Sequence, residues 1–241
     1  MKRTLWTAIL ALLLALACLA AATAETEKLT LVMIGGDGDH EDSPNNVFRS
    51  ILARHEEFSG RAEAFFFRSK RNDYSNKTAM QWTKMMQDAL SPDGINIVAA
   101  FSHGGQSVYF LDTETVRDLF LFDACVSIGG KGQGPVPSGK NWSRWIVDRA
   151  KTGVRFHLYA SIGKHDEPSG AKYAIAGIAQ IAQEDPALED LGDGQYRVLD
   201  EAGNEVSLIE TFLLEGNHRN ICPSAEPDVE RLICSLMETA E

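Results

Sequence analysis

A serine, an aspartate and a histidine stand where acyl-transfer chemistry could use them. Ser102 follows the apolar run 95–101 in "INIVAAFSHGG", Asp166 follows "VRFHLYASI" within "GKHDEP", and His218 follows "EVSLIETFLL" within "EGNHRN". A serine hydroxyl alone is a weak nucleophile at neutral pH. An imidazole within hydrogen-bond reach can take its proton as attack begins, and a carboxylate can hold that imidazole in the right tautomer and orientation. In an open parallel sheet, reactive groups collect beyond the carboxyl ends of the strands. Three residues distant in sequence therefore meet if each follows a strand of one sheet. Glu167 is an alternative acid beside Asp166, and His165 an alternative base; His157 lies inside an apolar run and reads as a core histidine.

The elements that must position these residues follow from periodicity. Apolar runs at 28–34, 62–67, 95–101, 121–128 and 154–162 read as strands, and "INIVAAF" is apolar throughout, as a central parallel strand should be. Between them lie helical patterns. Ser43 and Pro44 make a helix start at "SPNNVFRSILARHEEF". Trp82, Met85, Met86, Ala89 and Leu90 share one helix face, as do Trp142, Trp145, Ile146, Arg149 and Ala150, and again Ala174, Ile178, Ile181 and Ala182. "YRVL" and "EVSLIETFLL" flank a turn-rich "DEAGN" and predict a hairpin. Val229, Leu232, Ile233, Leu236 and Met237 mark a closing helix. This alternation predicts an α/β fold with a mostly parallel central sheet and helices on both faces, three layers in all.

With those motifs in place, the chain resembles the α/β-hydrolase superfamily, in its serine esterase type. "AFSHGG" resembles the nucleophile elbow, with Ala100 where the family has glycine; "GKHDEP" resembles the acid loop; "EGNHRN" resembles the histidine loop before the closing helix. The order Ser, Asp, His is the family's order. The resemblance implies a Ser102–His218–Asp166 triad working through an acyl-enzyme. It also implies an oxyanion hole from the backbone N–H of His103 and one near Gly36 or Asp37, with no cofactor and no metal. The short Gly/Pro-rich stretch "GKGQGPVPSG" leaves little room for a large cap, which suits a short acyl group or an exposed ester.

Two other classes compete. His103 and Cys125 resemble the His-Gly and Ala-Cys pair of the caspase–clostripain–legumain cysteine peptidases. The spacing of 22 positions from one to the other is short for a strand, a crossover and another strand. A non-catalytic α/β binding domain keeping the fold is the third class, and detectable ester hydrolysis separates it from the first. The acidic run Asp37, Asp39, His40, Glu41 and Asp42 reads as a solvated loop before a helix start rather than a cation site.

Composition bounds the partners. The 241-residue chain opens with Lys2 and Arg3, an apolar run to Ala20, and small residues at Ala22 and Ala24, the pattern of a secretory signal cleaved before Glu25. Residues 25–241 then form one domain, in a secreted or periplasmic protein without stable membrane insertion. Without Lys2 and Arg3, 21 basic side chains face 34 acidic ones, a net −13 against −11 for the full chain. Such a surface repels nucleic acid. Of the three later cysteines, Cys222 and Cys234 are close enough in sequence to pair, or all three are reduced and buried.

Overall fold

Strand residues alternate between two apolar layers, and that alternation builds the architecture. Val32, Ile34, Val98, Ala100, Leu119, Leu121, Phe156 and Leu158 face one layer. Leu31, Met33, Ile97, Ala99, Phe101, Phe120, Phe122 and Tyr159 face the other. Both faces must be covered by helices, because both are apolar.

The computed structural model describes residues 28–37, 44–69, 76–124, 139–162 and 170–239. The strands among them are β1 (Leu29–Asp37), β2 (Ala62–Ser69), β3 (Ile95–Phe101), β4 (Val116–Phe122), β5 (Arg155–Ser161), β6 (Leu188–Gly192), β7 (Gln195–Leu199) and β8 (Glu205–Leu214). The helices are α1 (Pro44–Arg54), α2 (Asn76–Ala89), α3 (Gly104–Tyr109), α4 (Gly139–Ala150), α5 (Gly170–Glu184) and α6 (Ile221–Thr239). The strands form one sheet in the order β2-β1-β3-β4-β5-β8-β7-β6. The pairs from β2 to β8 are parallel, and β8-β7 and β7-β6 are antiparallel. Helices α2, α3, α4 and α5 cover the first face through residues such as Met86, Val108, Ile146 and Ile178. Helices α1 and α6 cover the second through Phe48, Ile51, Val229 and Ile233. The fold is a three-layer α/β sandwich, as the sequence predicts.

Three expectations change. The fourth strand does not run over 121–128; it starts at Val116 and ends at Phe122. Arg117 and Asp118 made its first half look polar, yet Asp118 is fully buried because it is bonded to His157 of the next strand. The hairpin gains an outer strand, β6, joined to β7 at Asp193-Gly194, both with positive φ. Cys222 and Cys234 do not pair with each other, because both lie on α6. Twelve helical rises separate them by about 18 Å, and a disulfide needs Cα atoms within about 7 Å. Cys222 packs in the apolar core, while the Cys234 thiol lies 3.7 Å from His55 Nε2. Burial and the carboxylates of Glu230, Glu57 and Glu238 push that thiol above its ordinary pKa. Residues 1–27, with the signal pattern, lie outside the described residues, as do Cys125 and the Gly/Pro-rich stretch after it as far as residue 138. Among the described residues no helix is long and apolar enough to cross a membrane.

Candidate active site

The chain turns from β1 to β2 on one side of the sheet and then to β3 on the other, so β1 and β3 define a switch point. Ser102 stands there, one residue beyond β3, with φ of 53°. A serine pays to adopt this left-handed conformation, on the order of 1–3 kcal/mol, and the local structure enforces it. The Ser102 N–H donates to Phe122 O at 3.1 Å, and the Ser102 carbonyl accepts the Gly105 N–H at 3.1 Å. Helix α3 begins two residues later, pressed against β1: a Cβ on Gly104 would lie 2.8 Å from Ile34 O and 3.0 Å from Gly35 O. Gly36 is equally tight, since a Cβ there would lie 2.7 Å from Ser102 Cβ. Two glycines therefore let the end of β1 and the serine turn meet backbone to backbone.

His218 arrives from the loop between β8 and α6. Asn217 shapes that loop by accepting the Arg219 N–H on its side-chain Oδ1 at 2.9 Å and the Asn220 N–H on its carbonyl at 3.0 Å. The imidazole lies over Phe101, with ring centroids 4.7 Å apart and planes 26° from parallel. Its Nε2 accepts the Ser102 hydroxyl at 2.9 Å. Its Nδ1–H donates to Asp123 Oδ2 at 3.3 Å. That bond is longer than the common 2.9–3.0 Å; such contacts tighten when charge develops on the ring.

Asp123 is the residue that sequence reasoning missed. It follows β4 directly, has φ of 41° and is fully buried. Its own N–H donates to Tyr159 O at 2.8 Å, and its Oδ1 accepts the Ser161 N–H at 3.0 Å. One carboxylate oxygen is thus held by the end of β5, and the other faces His218. Among the described residues three non-glycines have positive φ, Ser102, Asp123 and Asp193, and two of them are here. The signal was available: Asp123 stands at a strand's carboxyl end once β4 ends at Phe122 rather than at position 128.

The structure brings Ser102 and His218 together and sets Gly36 beside Ser102. His103, at the N-cap of α3, is the next residue in the chain. Asp166, Glu167, His165 and Cys125 lie outside the described residues. His157 is a core histidine, as expected. Among the described residues no group of three or more His, Cys, Asp or Glu side chains is arranged to hold a metal.

No family model and no curated protein sequence matches the chain. Among solved structures, the histone deacetylase Clr3 has a TM-score of 0.41 and 8% identity, over 90% of this chain and 33% of that one. A Bacteroides fragilis structure described as a LacI transcriptional regulator has a TM-score of 0.24 and 12% identity, over 85% of this chain and 67% of that one. The chain thus spans about a third of the length of the first. The chemistry of the site has to be read from its own geometry.

Proposed function

We propose that the chain is a serine hydrolase, of the esterase type, that works through an acyl-enzyme on Ser102. The observation that carries this reading is the unbroken relay from Ser102 Oγ to His218 Nε2, at 2.9 Å, and from His218 Nδ1 to Asp123. The Ser102 proton passes to His218 Nε2 as Oγ attacks the ester carbonyl carbon. Asp123 stabilises the imidazolium that forms. The negative charge developing on the carbonyl oxygen is met by the backbone N–H groups of His103 and Gly36; losing one such donor typically costs about 3 kcal/mol. His218 then returns its proton to the leaving alkoxide oxygen, and water repeats the sequence to free the acid. Asp123 takes the orienting role in this reading, in place of Asp166, because among the described residues it is the carboxylate that meets His218. The substrate class is a small or exposed ester, and the protein acts after export, in the periplasm or outside the cell.

A fluorophosphonate reacts with an activated serine and reads this directly. Adduct mapping on the folded protein should place the phosphonate on Ser102, with labelling abolished in Ser102→Ala and strongly reduced in His218→Ala. A folded protein that leaves Ser102 unlabelled, or labels equally well without His218, would sink the proposal.

A further inference from the structure

The three strands that carry Asp123, the Ser161 N–H and the His218 loop are also tied together deep in the sheet. His157 of β5 sits there, buried, with Nε2 3.0 Å from Asp118 Oδ1 of β4 and Nδ1 2.9 Å from Glu210 Oε2 of β8. Both ring nitrogens face carboxylate oxygens, which accept and do not donate when ionised. The arrangement is therefore that of an imidazolium donating twice. Above it on the same face the rings stack toward the site. His157 lies on Phe120 at 4.6 Å, Phe122 on Tyr159 at 5.0 Å, and Tyr159 on Phe212 at 4.7 Å. Phe122 immediately precedes Asp123, and the Tyr159 carbonyl accepts the Asp123 N–H.

We infer that His157 is a positioning residue, a charged clasp that fixes the register of β4, β5 and β8 and so sets Asp123 against His218. The inference rests on the reading of Ser102, His218 and Asp123 as a working relay. Its physical ground is that the rest of this face cannot choose a register. Phe120, Phe122, Tyr159 and Phe212 are similar in kind, and a strand slipped by two residues keeps the same face inward. Such a slip moves a strand end by roughly 6.6 Å and would take Asp123 away from the Tyr159 carbonyl. A carboxylate–imidazolium–carboxylate triplet has one register in which both bonds form. A buried ion pair seldom adds net stability over well-packed apolar groups, whereas breaking one partner is costly. Specificity of placement is what such a triplet supplies. The charged groups around it are few: Arg117 Nε lies 3.6 Å from Asp118 Oδ2, and Arg155 of β5 and Arg231 of α6 act on Glu210. Asp228 of α6 acts on Tyr159 beside it.

Two full-length variants test the clasp, His157→Gln and the apolar triple D118L/H157F/E210L, the second chosen because it leaves none of the three clasp charges without its clasp partners. Folding is checked by circular dichroism and chemical denaturation. The first readout is the downfield imidazole N–H resonance of His218 bonded to Asp123, which does not depend on substrate or activity. It should be present in the wild type, lost in an Asp123→Asn control, and lost or displaced in both clasp variants. The second readout is phosphonate labelling of Ser102, expected to slow roughly 10- to 100-fold, with no further slowing when His157→Gln is added to Asp123→Asn. A folded clasp variant with an unchanged His218 resonance overturns the inference, as does a triple variant that cannot fold, which would make the triplet a stability element. A wild type that never labels at Ser102 refutes the hydrolase reading instead, while the resonance still decides the clasp.

Discussion

At the scale of single residues, the carboxylate partner of His218 is the decisive assignment. Asp123 Oδ1 is occupied by the Ser161 N–H, so an asparagine there keeps that acceptor and the buried turn intact. What changes is the other atom, because a carboxamide NH2 facing Nδ1 stabilises the wrong imidazole tautomer. Asp123→Asn should therefore fold normally and lose about 10³- to 10⁴-fold in phosphonate labelling or ester hydrolysis, while Asp166→Asn should keep most of the rate. The reverse result would return the acid role to Asp166. Ser102 and His218 were legible in the sequence because each follows a run whose end is marked, by Ser-His-Gly-Gly in one case and Glu-Gly-Asn-His in the other. Asp123 was not, because "LFDACVSI" reads as one apolar run with the aspartate in its middle.

At the scale of elements, that misreading has a physical cause. A strand's polar residues hide it when their partners lie on other strands, and Asp118 is polar only until His157 is placed beside it. Placing β4 from Val116 to Phe122 moves its end back and delivers Asp123 to the same rim as Ser102. Outer strand β6 escaped for a related reason, since four of its five residues are exposed and give no apolar signal. The contact of α3 with β1 is the element-level feature most open to test. The Ile34 and Gly35 carbonyls cannot recoil freely, because β1 is paired on both sides, with β2 and β3. Gly104→Ala adds a methyl group 2.8 Å from one of them. Forcing an extra carbon into such a site costs about 1–3 kcal/mol, more than the helix-propensity gain of about 1 kcal/mol from replacing glycine. The variant should show a lower urea midpoint and slower labelling of Ser102. An unchanged midpoint would mean that the turn has room the backbone geometry denies.

At the scale of the whole molecule, both apolar layers meet the same sheet, and buried Asp118 and His157 with half-buried Glu210 bring charge into it. Burial works against the charge on His157, but its hydrogen bonds to Asp118 and Glu210 outweigh that and raise its pKa above the ordinary 6.5. The hydrogen bond to His157 lowers Glu210 below its ordinary 4.5, against the cost of burial. The signs give a window. A raised histidine contributes stability that is complete below its unfolded pKa and disappears as pH rises through the folded value. A lowered carboxylate contributes stability that is present above its unfolded pKa and disappears as pH falls through the folded value. The triplet therefore stabilises the fold most between about pH 4.5 and about pH 6.5. Surface His55, raised by Glu57 and Glu230, adds a term of the same sign in the wild type, so the comparison must cancel it. The urea midpoint measured against pH for the wild type and for His157→Gln does so, because both carry His55. The difference between the two curves should be greatest within that window and should shrink as pH rises through the folded pKa of His157. A difference that stays flat from about pH 5 to about pH 9 would mean that His157 is not held as an imidazolium in the folded protein.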